Sequence, residues 1–294
     1  MGEMYKPPYK SGERSRNERR EHPALMLKSM LRAQARLVNE RVQDTYQIEN
    51  LLHPDGSLDS TGYTELYGED AIRRDTESVR VRELAFSNAQ NERVQAFYRD
   101  KYHYDEITED QIIAHWKENK SNEKNGQMEM AVTLLLSEML GNDFLVVRTA
   151  PTDDYDGMDN LILDYTTGEV VGAFDEVHEG GDGKRTEFKK EKVQKIADRG
   201  GAKVRFGLKL EDGQLKRTKL EGVPVFYLGL ESVELDDLVS ALREHDTEVM
   251  RTIFAKLIRS LSSQQVELSK NVQSQNLQGK LATFGKMLER IAVE

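Results

Sequence analysis

The chain of 294 residues contains no cysteine. Disulfides, zinc–thiolate centres and thiol nucleophiles are therefore excluded, and the composition fits a reducing compartment. Tryptophan occurs once and proline six times. Hydrophobic residues make up 37% and charged residues 32%, which predicts a modest core with much solvated helix around it. No apolar run approaches the roughly 20 residues that span a bilayer. The first residues lack the apolar core of a secretion signal. The expectation is a cytoplasmic protein without membrane contact. No glycine-rich loop ends in Lys-Ser or Lys-Thr, no Gly-x-Ser-x-Gly elbow occurs, and no helix carries paired histidines for zinc. A net charge of −10 argues against indiscriminate coating of DNA but leaves room for a local basic groove.

One absence is local. From Thr149 to Gly183 there is no Lys or Arg, while ten carboxylates crowd the same window: Asp153, Asp154, Asp156, Asp159, Asp164, Glu169, Asp175, Glu176, Glu179 and Asp182. The next window, Lys184 to Lys219, holds thirteen Lys or Arg against five Asp or Glu. Carboxylates at strand ends are what a hard divalent cation needs. A basic segment beside them is what a polyphosphate ligand needs.

Residues 1–22 are polar and mixed in charge, and they read as a mobile tail. Residues 23–120 read as helical. Apolar residues from Leu25 to Leu37 recur at near-helical spacing, His53-Pro54-Asp55-Gly56 forms a stop, a second helix covers about 75–102, and a third begins at the N-cap Thr108. Asn119 to Gly126 reads as a linker, and a domain boundary is placed there. Within 121–232 the pattern changes to an α/β domain. It has an apolar helix from Gln127 to Leu140, strands at 144–149, 160–163 and 170–177, a loop at 151–157, and a helix at 187–199. Two further strands lie at 203–210 and 223–230. Short turns between the first three strands suit an antiparallel meander. Residues 233–294 read as helices. Leu277, Leu281, Phe284, Leu288 and Ile291 form a stripe that is either core or the surface for a protein partner or a second copy.

Helix, three strands, helix, strand resembles the core order of the PD-(D/E)xK nucleases, the αβββαβ restriction-endonuclease-like fold, over about 126–230. In that family an acid on the first helix often assists the metal, an Asp opens the second strand, and an acid-x-Lys pair lies on the third. Glu129 sits on the first helix here, Asp159 opens DNLIL, and Asp175 and Glu176 end VVGAFDEV. The resemblance implies a nuclease acting on DNA with Mg²⁺ or Mn²⁺, held by Asp159 and Glu176 with Asp175 and Glu129. Neighbouring strands lie about 5 Å apart, close enough for two such carboxylates to share an ion. The family's lysine position falls on Val177 or His178. His178, which shares a strand face with Glu176 by alternation, or Lys184, Lys189 or Lys190 from the next segment, then takes its place. The other outcome is a fold that has lost catalysis and serves as a scaffold or protein-binding module. The remaining acids, Asp153, Asp154, Asp156 and Asp182, read as ordinary solvated loop residues.

Overall fold

The computed structural model describes residues 22–88, 108–179 and 184–293. The tail 1–21, the end of the second expected helix, and the Gly180–Gly183 loop lie outside the described residues.

Helix α1 (Pro23–Tyr46) opens with proline in its first turn, where a missing N–H costs nothing, and ends at Gln47 in the left-handed region with φ 59°. Its buried residues, from Ala24 through Leu27, Leu31, Ala35 and Val38 to Val42, return every three or four positions. Helices α2 (Glu69–Asn88) and α3 (Glu109–Asn122) follow. Thr108 caps α3 reciprocally with Gln111: each side chain accepts from the other's backbone N–H, at 3.3 and 2.9 Å.

The expected linker at 119–126 is helical instead. Helix α4 (Lys124–Leu140) begins after a one-residue break at Glu123, whose extended backbone separates it from α3. A side chain at Gly126 would place its Cβ 2.3 Å from the Lys120 carbonyl oxygen. The glycine thus allows the two helices to meet at a sharp corner, and polarity in this stretch reflects exposure rather than a linker. Helix α4 is buried on most sides, which accounts for its continuous apolar run.

Strands β1 (Phe144–Arg148), β2 (Asn160–Asp164) and β3 (Glu169–Glu179) form an antiparallel meander. The segment expected as a loop before β2 contains a short helix, α5 (Pro151–Tyr155), again opened by proline. After α6 (Lys184–Asp198) the chain makes two strands that stand apart, β4 (Ala202–Glu211) and β5 (Gln214–Val223). Strand β6 (Val225–Glu231) then returns to the main sheet parallel to β3, giving the order β1-β2-β3-β6. The fold is mixed α/β. Strand β5 was not expected from the sequence, because its run QLKRTKLEGV is charged and mostly exposed. Its signal is the turn Asp212-Gly213, where both residues have positive φ, 53° and 72°, as a two-residue hairpin requires.

Helices α7 (Ser232–Glu244), α8 (Thr247–Asn271) and α9 (Gln275–Val293) complete the chain. The stripe on α9 is used internally: Leu277, Leu281, Phe284 and Leu288 are buried, and Phe284 stacks on Phe226 of β6 at 4.1 Å between ring centroids. One apolar core runs from Ala24 through the sheet to Leu288. No helix among the described residues is long and apolar enough to cross a membrane.

Asp153 corrects the reading of the acidic window as solvated loop. It is 1% exposed, and its two carboxylate oxygens accept from the backbone N–H groups of Arg205 and Phe206 at 2.9 and 3.0 Å. Burial pushes its pKa up to about 6 against those two hydrogen bonds. The Arg205 side chain in turn bonds Asp75 at 2.7 Å, and Thr152 donates to the same carboxylate at 2.6 Å. Asp153 therefore pins the β4–β5 hairpin to the end of β1. Asp153→Ala is expected to lower the unfolding free energy by about 2 kcal/mol, since it leaves two N–H groups unpaired. Urea denaturation reads this directly, and an unchanged midpoint would contradict the pinning role.

Candidate metal and phosphate site

Asp159 sits one residue before β2, where its own N–H donates to the Phe174 carbonyl of β3 at 2.7 Å and its carbonyl accepts from Thr149 N–H of the β1 side at 3.0 Å. The adjoining ladder therefore holds it in place. Its carboxylate oxygen Oδ2 accepts from the Glu176 backbone N–H at 2.7 Å. Glu176 is set by a second chain of contacts: Asn160 Nδ2 donates to Glu176 Oε1 at 2.9 Å, and Thr133 of α4 donates to Asn160 Oδ1 at 2.9 Å. The other oxygen, Glu176 Oε2, is buried with no hydrogen-bond partner among the described residues.

Both side chains are nearly closed from solvent, at 8% for Asp159 and 7% for Glu176. Burial and then the neighbouring charges of Glu176, Glu129 and Asp175 lift Asp159 well above the usual carboxylate range. Burial likewise raises Glu176 to about 7. Two acids forced together in a dry place share too few compensating positive charges, and an added cation would relieve them.

Glu129, from α4, lies on the edge of this pair. It is held by Arg148 at the end of β1, 3.1 Å away, and by Lys120 of α3 at 3.7 Å. Burial pulls the Arg148 guanidinium down, but Glu129, Asp55, Asp154 and Asp159 outweigh it and keep the group charged. Lys120 is balanced in the same way by Glu129, Asp154 and Asp159. Neither cation stood out in the sequence. The available signal was a single arginine closing the apolar run FLVV.

Other expected site residues face elsewhere. Asp175 is turned to α6, where Lys189 contacts one carboxylate oxygen and Lys192 lies 3.2 Å from the other. Lys189 therefore serves Asp175 rather than the Asp159–Glu176 pair. Gly157 makes room for Lys192: at φ 82° its missing Cβ would fall 1.4 Å from the ammonium nitrogen. His178 does not join Glu176 as strand alternation implied. Its Nε2 hydrogen-bonds Ser232 Oγ at the start of α7, 2.8 Å away. The four acids expected to hold a metal are thus divided. Asp159 and Glu176 meet, Glu129 borders them through Arg148, and Asp175 is neutralised by lysines. Among the described residues no group of three or more His, Asp or Glu side chains is placed so that it could hold a metal ion.

Comparison with protein-family models, with curated proteins and with solved structures finds no match.

Proposed function

We propose that the protein is a nuclease dependent on Mg²⁺ or Mn²⁺ that hydrolyses phosphodiester bonds in DNA, working in the cytoplasm on a PD-(D/E)xK-like core. What supports the core assignment is the order α4, β1–β3, α6 and β6, with the first three strands antiparallel and β6 parallel to β3. The observation that carries the functional reading is the hydrogen bond from the Glu176 backbone N–H to the Asp159 carboxylate, which sets the two acids side by side where β2 begins and β3 nears its end. It leaves a buried carboxylate oxygen, Glu176 Oε2, without a partner among the described residues.

The donor set fits a hard divalent cation, which takes carboxylate oxygens and retains several waters. Asp159 and Glu176 would hold it, and Glu129 would join by giving up Arg148. Such an ion, when bound, lowers the pKa of a coordinated water and neutralises charge on the scissile phosphate. The chain's own residues do the rest. Asn160, oriented by Thr133, keeps Glu176 in place. Arg148 and Lys120 keep positive charge beside Glu129, where a phosphate oxygen can replace a carboxylate. Lys189 and Lys192 put further positive charge at Asp175.

A second reading, a non-catalytic module that binds a protein partner, is favoured by the occupants of the family's lysine position: Val177 is buried and His178 is committed to Ser232. Incubation of end-labelled single- and double-stranded DNA with Mg²⁺, Mn²⁺ or EDTA decides between them. Metal-dependent fragments are expected. Intact DNA under every divalent ion would leave only the binding module.

A further inference from the structure

A cleft of about 620 Å³ opens beside the carboxylate pair, between α1, α3, α4 and α5. Glu129 and Arg148 belong to its lining, so the acid that borders Asp159 and Glu176 also borders this cavity. The volume is in the range of small-ligand sites. Two features of its wall have no role in the site already described.

The first is aromatic. Trp116 of α3 and Tyr155 of α5 both line the cleft. They flank Phe86 of α2 in a near-parallel stack, with ring centroids 6.1 and 5.9 Å apart and interplanar angles of 10° and 20°. Phe86 is 55% exposed and neither Trp116 nor Tyr155 is buried. A stack of flat rings only partly buried, with its middle ring exposed, is unusual as packing, because burying the same rings fully would yield more. The second is cationic. Lys28 and Arg32 lie one turn apart on α1, at the cleft, and form no ion pair with any described residue. The other cations in the wall are already opposed: Lys117 meets Glu83 at 2.8 Å, and Lys120 and Arg148 meet Glu129.

Flat rings and cations that form no ion pair with a described residue, lining one cleft, are the two elements that bind a single strand, bases on the rings and phosphates on the cations. A duplex keeps its bases stacked on each other and offers the rings nothing. We infer that this cleft binds single-stranded nucleic acid, with bases against Trp116 and Tyr155 and backbone phosphates on Lys28 and Arg32, so that the strand is led towards Glu129 and the carboxylate pair. This names the substrate form for the proposed nuclease and rests on that reading for its direction of travel, but not for binding itself.

Trp116 is the chain's one tryptophan, so its fluorescence reports on the cleft alone. Titrations with dT₁₂, U₁₂ and a 12-base-pair duplex are made in EDTA, where neither metal binding nor cleavage enters. Saturable quenching by either single strand is expected, with the duplex at least about fivefold weaker, the low end of one stacked base. The double variant Lys28→Ala/Arg32→Ala, at one half-buried and one exposed position, should fold normally and make the salt dependence shallower by about 1.4 in log K per log salt. With fluorescein-labelled dT₁₂, Trp116→Ala should weaken binding at least about fivefold while Trp116→Phe retains most of it. Absence of quenching, a duplex that binds as tightly as the single strands, or an unchanged salt slope in the double variant would each overturn the assignment. Quenching in a protein that cleaves no DNA would keep the strand site and remove the nuclease.

Discussion

Asp159→Asn and Glu176→Gln should each reduce metal-dependent DNA cleavage by more than about 100-fold, since loss of residues that merely support a metal ligand already costs 10- to 100-fold. The amides preserve shape and one carbonyl oxygen while removing the charge a hard cation requires. In Asp159→Asn the amide oxygen can still accept the Glu176 N–H, which the carboxylate accepts at 2.7 Å. In Glu176→Gln the amide oxygen can still accept from Asn160. The folds should therefore survive, and loss of activity will not reflect unfolding. Lys189→Ala separates this pair from the α6 lysines. It leaves Lys192 on Asp175 at 3.2 Å, so a clearly smaller loss is expected. Rates measured on one labelled substrate check all three. Full cleavage in either amide variant would remove those carboxylates from the reaction.

The second large effect is on stability as a function of pH. Glu176 is raised from an ordinary 4.5 to about 7 in the folded chain, chiefly by burial. Between those two values the folded protein retains a proton that the unfolded chain has released. Stability therefore falls as pH rises through this window, and the loss is complete above about pH 7. Its size is on the order of 3 kcal/mol, from about 1.4 kcal/mol per unit. Asp159, raised by burial and by Glu176, acts in the same direction. Glu176→Gln removes the ionisation, so the variant should gain on the parent by about that amount between pH 5 and pH 8 in metal-free buffer. Guanidinium denaturation at the two pH values reads the difference. Parallel pH profiles for parent and variant would mean that Glu176 titrates normally and that water reaches its carboxylate.

Much of the layout was legible from residue patterns. The apolar run of α4 and the three-strand meander put Asp159 beside the acids near the end of β3, because strand pairing is local and its side-chain period is short, and the nuclease resemblance then singled out Asp159 and Glu176. What escaped was of two kinds. Polar segments hid regular structure: the corner at Glu123, the short helix at Pro151 and strand β5 all lack an apolar stripe, and only Gly126, Pro151 and Asp212-Gly213 betray them. Long-range partners were invisible as well. Asp153 is claimed by Arg205 and Phe206, Asp164 by Arg290 at 2.9 Å, Asp175 by two lysines of α6, and Glu129 by Arg148. An acidic window announces that carboxylates are present. Which of them are neutralised depends on cations brought from as far as α9, and that is a property of the packing.

Whether Asp159 and Glu176 together form a cation site is decided by isothermal titration of Mn²⁺ into the metal-free protein at pH 7. A saturable carboxylate-dependent site is expected that releases protons on binding, because the metal displaces those held on the raised acids, and that disappears in Asp159→Asn. No binding heat, or an isotherm unchanged by Asp159→Asn, would contradict it.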